Sequence, residues 1–209
     1  MQKKHSNKKI SSEYYNRKDY ELIINIINDN AKIIDLGCGT GDLLYLLKTR
    51  KNVECEGIDL SIKNIETCIK KGLNVFHGDI DEGLEGYNDQ CFDFAIINFT
   101  VPFLKKPEFI LNRISQISKN IIVTFENVGY FIKRIKILFK GTIVKNPFQD
   151  NSEKGLLNER FFTIKQFMQL LIKNKFNIIQ EIYFCKKLKI PKWLNPNLFA
   201  RYALFVIKK

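Results

Sequence analysis

Apolar and polar positions change rhythm along the chain, and the changes mark out its elements. Residues 1–16 are mostly polar and lack a period, so they read as a flexible basic arm. From Arg17 the spacing turns helical: Tyr20, Ile23, Ile24 and Ile27 share one face, and Asn28-Asp29-Asn30 ends the run. Short apolar strands and helices then alternate. Lys32–Leu36 predicts a first strand, with a glycine loop and a helix over Asp42–Lys48 behind it. Val53–Ile58 predicts a second. Ser61 suits the N-cap of a helix with Ile62, Ile65 and Ile69 on one side, which stops at Gly72. Leu73–Phe76, Phe92–Asn98 and Asn120–Phe125 predict three more strands, and Pro107 suits the first turn of a helix between the last two.

Beyond Phe125 the rhythm changes. Phe131–Lys140 predicts an amphipathic helix whose stripe of Phe131, Ile132, Ile135, Leu138 and Phe139 reads as core-facing. Gly141–Arg160 has no period and reads as a long loop, of a length that points to a function. Thr163 and Gln166 form a capping box for a helix with Phe167, Leu170 and Leu171 inside. Two strand-like runs, Phe176–Phe184 and Tyr202–Ile207, close the chain. The whole predicts an α/β fold: a Rossmann-like, seven-stranded, mostly parallel sheet with helices on both faces, its last strands forming an antiparallel hairpin. Residues 17–209 read as one domain.

Composition adds little to that picture. A chain of 209 residues buries roughly 70% of its unfolded surface and needs no disulfide to supplement its core. The five cysteines form no C-x-x-C pair and read as reduced thiols in a reducing compartment, the cytoplasm. The polar start is no secretory signal, and the most apolar run, Phe92–Leu104, is too short and too interrupted to span a bilayer. A membrane and a metal are therefore not expected. The net charge of +12 is spread along the chain and reads as compositional. RNA methylation would rest on that charge alone and predicts steep salt dependence; nucleic acid is not an expected partner.

The sharpest chemical signal is Ile34-Asp35-Leu36-Gly37-Cys38-Gly39-Thr40-Gly41, between the first strand and the next helix. Glycine there permits positive φ and the close approach of a ligand to the backbone. The third glycine comes one residue too early for a dinucleotide fingerprint, and Asp42 stands where that motif wants glycine. An acidic residue two before the first glycine, Asp35, is typical of the methyltransferase version of this loop. Asp59-Leu60 follows the second strand, where a carboxylate accepts ribose hydroxyls. Gly78-Asp79-Ile80 follows the third, where Asp79 accepts from an adenine amine and Ile80 covers the ring. The expected cofactor is S-adenosylmethionine or S-adenosylhomocysteine, held by Asp35, Gly37, Cys38, Gly39, Gly41, Asp59, Leu60, Asp79 and Ile80.

With these motifs in place, Arg17 to Ile207 resembles the methionine biosynthesis protein MetW family, within the class I methyltransferase superfamily. The likeness is carried by Gly78-Asp79-Ile80-Asp81-Glu82-Gly83-Leu84, by Ile122–Gly129, by Thr163-Ile164-Lys165-Gln166-Phe167 and by Asn197-Leu198-Phe199-Ala200 with Ala203, Leu204 and Phe205. The chain departs from the family at Phe99-Thr100-Val101-Pro102, at Glu126–Phe131 and at Leu157–Arg160, on the acceptor side. The resemblance implies a place in methionine biosynthesis and a partner, homoserine O-acyltransferase. The alternative is a methyltransferase of an unidentified small molecule.

No catalytic residue stands out. Transfer from a sulfonium needs alignment and a base only where the acceptor must lose a proton. His5 lies in the arm and His77 beside the adenine region, where it reads as structural. Asn98 and Asn127 read as loop caps, with orientation of an acceptor as their other possible role. The basic run from Lys133 to Lys145 reads as a solvated helix face.

Overall fold

The computed structural model describes residues 17–82, 84–141 and 160–209. The proposed arm, the loop after Gly141 and most of the Leu157–Arg160 segment lie outside them. The elements run α1 (Lys18–Ile26), β1 (Lys32–Leu36), α2 (Asp42–Lys51), β2 (Glu54–Asp59), α3 (Ile62–Lys70), β3 (Asn74–His77) and β4 (Phe92–Asn98). Then come α4 (Pro107–Ile117), β5 (Ser118–Glu126), α5 (Phe131–Lys140), α6 (Ile164–Lys173), β6 (Asn177–Cys185), β7 (Leu188–Lys189), α7 (Pro196–Phe199) and β8 (Tyr202–Lys208).

The strands form one sheet in the order β3-β2-β1-β4-β5-β8-β6-β7. β1 to β5 are parallel, and β8 inserts antiparallel between β5 and β6. This is the expected α/β architecture with eight strands in place of seven. The extra strand, Leu188–Lys189, pairs back onto Phe184 and Cys185; two residues are too few to show a period in sequence. Parallel connections send the chain from β1 through α2 to β2 and from β4 through α4 to β5, so helices cover both faces. One core holds α4 and α6 against Phe125 and Phe205; the other holds α1 and α2 against Ile33, Ile96 and Leu204. In the first, Phe125 stacks on Phe205 at 6.1 Å and meets Phe167 at 4.6 Å between ring centroids. Burying each ring contributes about 2–3 kcal/mol.

The local signals behave as written. Ser61 Oγ accepts from the Asn64 amide, Thr163 and Gln166 close a reciprocal capping box, and Pro107 opens α4. All five cysteines are free, three of them buried and Cys91 and Cys185 half-buried.

Two apolar stripes are corrected. On α3 only Ile65 of the three isoleucines is buried, with Cys68; Ile62 and Ile69 face outward. The helix lies over the β2–β3 edge, where the sheet covers one narrow strip of its surface. The departure on α5 is larger. Ile132, Ile135, Leu138 and Phe139 are exposed, and the one buried side chain of the helix is Lys133. Lys133 Nζ meets Glu126 Oε2 at 2.9 Å, and Arg201 Nε meets Glu126 Oε1 at 3.0 Å. A buried ion pair, together with Phe131 packed between Tyr130 and Phe199, fixes which face turns inward. The periodicity is genuine, but it does not say which face meets the core.

Candidate functional site

The carboxyl ends of β1 and β4, with α1 and the starts of α2 and α3, enclose a cavity of about 340 Å³. Of the residues expected to hold a cofactor, Asp35, Gly37, Cys38 and Gly39 line it. Gly41, Asp59, Leu60, Asp79 and Ile80 are not among its lining residues. The cavity also takes its walls from Arg17, Tyr20, Thr40, Asn64, Phe99 and Phe103, which sequence reasoning did not assign to the cofactor. Only the helical face carrying Tyr20 and the N-cap ahead of Asn64 were visible signals.

The glycines have distinct reasons. Gly37 has φ of +81°, and a Cβ there would meet Thr100 Oγ1 at 2.4 Å. Gly41 has φ of +73°, and a Cβ there would strike Leu73 and Cys68. Gly39, at φ +56°, has nothing within 4 Å of where its Cβ would be, so its outer side is open to a ligand.

The loop spends its amides internally. Gly37 and Cys38 both donate to the Ile58 carbonyl, at 2.8 and 3.0 Å, and Gly41 donates to Cys38. Gly39 donates to Asp59 Oδ2 at 2.8 Å. A dinucleotide loop instead aims its amides at a pyrophosphate. With these amides spent and Asp35 and Asp42 in the cavity wall, the site suits a cationic or neutral group better than a phosphate.

Asp35 sharpens the point. Its carboxylate is buried at 2% exposure, and Oδ1 has no hydrogen-bond partner among the described residues. Burial, reinforced by the charge of Asp59, pushes its pKa up to about 7. A buried carboxylate lacking a partner is costly, and a cation in the cavity would relieve that cost.

Asp59 is built into its surroundings. Oδ1 accepts from the Ser61 amide at 2.9 Å and from Asn64 Nδ2 at 3.0 Å, while Oδ2 holds Gly39. A carboxylate accepts about four hydrogen bonds, so roughly one place is left. Asp79 Oδ1 accepts from the Asp81 amide at 2.9 Å, and Lys105 Nζ lies 3.4 Å from Oδ2. His77 Nε2 bonds the Leu60 carbonyl at 3.0 Å. Burial pushes the Cys38 thiol far up, with Asp35 adding to it, so the thiol stays protonated and packs.

Asn127 saturates its amide: it donates to the Asn197 and Ala200 carbonyls and accepts from the Gly129 and Ile164 amides. It is a loop cap with nothing left for an acceptor. Asn98 donates to Asp19 Oδ2 at 3.1 Å and accepts from Thr124. No group of three or more metal-ligating side chains occurs among the described residues, and no helix there is long and apolar enough to cross a membrane.

Residues 17–207 match the model of the family described as methionine biosynthesis protein MetW. The chain belongs to the MetW family. Among its relatives is the bifunctional methionine biosynthesis protein MetXA/MetW of Rhodopirellula baltica, 26% identical over 202 residues. The match covers 91% of the chain and 32% of that relative, so the chain spans about a third of its length. The carboxy-S-adenosyl-L-methionine synthase of Campylobacter hominis is 32% identical over 207 residues, covering 90% of the chain and 82% of the synthase. Among solved structures, a methyltransferase of Thermotoga maritima, described as a possible histamine N-methyltransferase, superposes with a TM-score of 0.64. It is 20% identical, with 94% of this chain and 88% of that one covered. Such structures establish for this MetW chain the class I methyltransferase fold.

Proposed function

We propose that this MetW-family chain binds S-adenosylmethionine or S-adenosylhomocysteine in the cavity at the carboxyl ends of β1 and β2, and acts with homoserine O-acyltransferase in methionine biosynthesis. The observation that carries the cofactor reading is the unpartnered oxygen of Asp35 beside the open side of Gly39. Both candidate cofactors carry an ammonium group and no phosphate, which fits a loop whose amides are already bonded. In this reading Asp35 faces the ammonium, Gly37, Cys38, Gly39 and Gly41 shape the backbone passage, and the remaining acceptor place of Asp59 takes ribose. Leu60, Asp79 and Ile80 flank the adenine.

Partnership is supported by the Rhodopirellula relative, whose name joins MetXA and MetW in one bifunctional protein. It is supported also by α5, which turns Ile132, Ile135, Leu138 and Phe139 to solvent. An apolar face left outside a domain core is the kind of surface a protein partner covers. The test is size-exclusion chromatography of the chain with the acyltransferase of its organism, with acyl transfer assayed in each fraction. Co-elution with altered activity is expected; separate elution with unchanged activity refutes the partnership and leaves the cofactor reading to calorimetry with S-adenosylhomocysteine.

A further inference from the structure

A second cavity, of about 280 Å³, opens on the same edge of the sheet, beside the first. Arg17 and Phe99 line both. Its charge is one-sided. Arg17 and Lys18 reach it from the start of α1, Lys186 and Lys187 from the β6–β7 turn, and Arg201 from just before β8. The one carboxylate in its lining, Asp19, is 4% exposed and is clasped by Arg17 through two bonds of 2.9 and 2.7 Å. Glu126, behind Arg201, is shared with Lys133, and Glu21 meets Lys18 at 2.9 Å. The lining thus holds five cations and one carboxylate, and the cavity stays positive.

Its walls are aromatic. The Phe99 ring meets Tyr202 edge-on at 5.6 Å, and Tyr202 packs on Phe184 at 5.4 Å. Burial pushes the Tyr202 hydroxyl up to about 12, so it remains a hydrogen-bond donor. Phe99 sits at φ +61°, a conformation costly for a bulky residue. Its amide is held there by the Thr124 carbonyl and Oγ1, both at 3.1 Å. The strain turns the ring between the two cavities.

We propose that this cavity is a second ligand site for a small organic anion, its carboxylate or phosphate among the cations and its apolar body against Phe99, Tyr202 and Phe184. Apolar walls with a few convergent charged groups are the usual make-up of a small-molecule site, and cations at the start of a helix add to its own attraction for an anion. The site differs from the first cavity in charge: beside the Arg17 they share, that one offers Asp35 and Asp42, and this one four more cations.

The test is calorimetric titration of the whole chain with phenylacetate, phenyl phosphate and the neutral phenylacetamide, each with and without saturating S-adenosylhomocysteine. At least one anion is expected to bind and to weaken with added salt, with phenylacetamide at least tenfold weaker. Which anion binds more tightly distinguishes a carboxylate from a phosphate ligand. K186Q/K187Q, on an exposed turn, is expected to weaken the anion at least fivefold while leaving S-adenosylhomocysteine affinity and thermal stability unchanged. Equal binding of phenylacetamide, an unchanged anion affinity in K186Q/K187Q, or no binding of either anion up to about 10 mM would overturn the proposal. None of these outcomes depends on whether S-adenosylhomocysteine binds, so failure of the cofactor reading would show separately.

Discussion

Asp59 and Gly39 are joined by a hydrogen bond of 2.8 Å from the glycine amide to Oδ2, which ties the end of β2 to the loop that follows β1. Because the same carboxylate also holds Ser61 and Asn64, it positions the loop and the start of α3 together. Asp59→Ala is therefore expected to weaken cofactor binding at least tenfold by calorimetry and to lower stability by about 1–3 kcal/mol. Unchanged affinity for S-adenosylhomocysteine would show the ribose to lie elsewhere.

Asp35 should govern the response to pH. Folded, it keeps its proton to about pH 7; unfolded, only to about pH 4. Between those values the ligand-free native state binds the extra proton, so its stability falls as pH rises from about 4 through 7 and is level above. Asp35→Asn is expected to flatten that slope and to raise the pH 8 melting temperature of the ligand-free protein. A cofactor ammonium favours the ionised carboxylate, so S-adenosylhomocysteine should bind more tightly as pH rises towards 8, releasing a proton near pH 6. Calorimetry in buffers of different ionisation enthalpy measures that release.

Gly37 and Gly39 should separate folding from binding. Gly37→Ala drives a methyl into Thr100 at a φ of +81° and is expected to cost about 3 kcal/mol in denaturant melts. Gly39→Ala meets nothing and should cost about 1 kcal/mol for its positive φ alone, yet abolish cofactor binding. Retained affinity in Gly39→Ala would place the ligand away from the loop.

The outer face of α5 gives a further check. Leu138 and Phe139 are 76% and 79% exposed, so Leu138→Glu with Phe139→Glu should leave thermal stability within about 0.5 kcal/mol. Co-elution with the acyltransferase should be lost. A double variant that still co-elutes would move the contact elsewhere.

The sheet was legible where buried parallel strands are nearly continuous apolar runs: the expected Phe92–Asn98 matches β4 to the residue and Asn120–Phe125 matches β5 to within two at each end; β2 agrees to within one although Glu54, Glu56 and Gly57 interrupt it. The glycine loop was legible because few residue types fit its geometry. Less visible was what depends on which side of an element faces in. A helical period fixed the stripe on α5, while Lys133 and its pairing with Glu126 decided that the stripe points outward. The walls that Arg17, Tyr20 and Phe99 lend to the cavity at the glycine loop come from separate parts of the chain, and no local spacing links them. Asn127 reads as a cap in sequence, and the folded chain supplies its four partners.

Phe99 and Arg17 stand in the walls of both cavities, and a shared wall has a thermodynamic consequence. A guest that shifts the Phe99 ring, or draws on the Arg17 guanidinium 5.9 Å from that ring's centre, alters the room offered next door. Linkage makes such an effect reciprocal: whatever factor the first guest imposes on the affinity of the second, the second imposes on the first. Through these two side chains each cavity registers whether the other is filled, without any movement of the sheet.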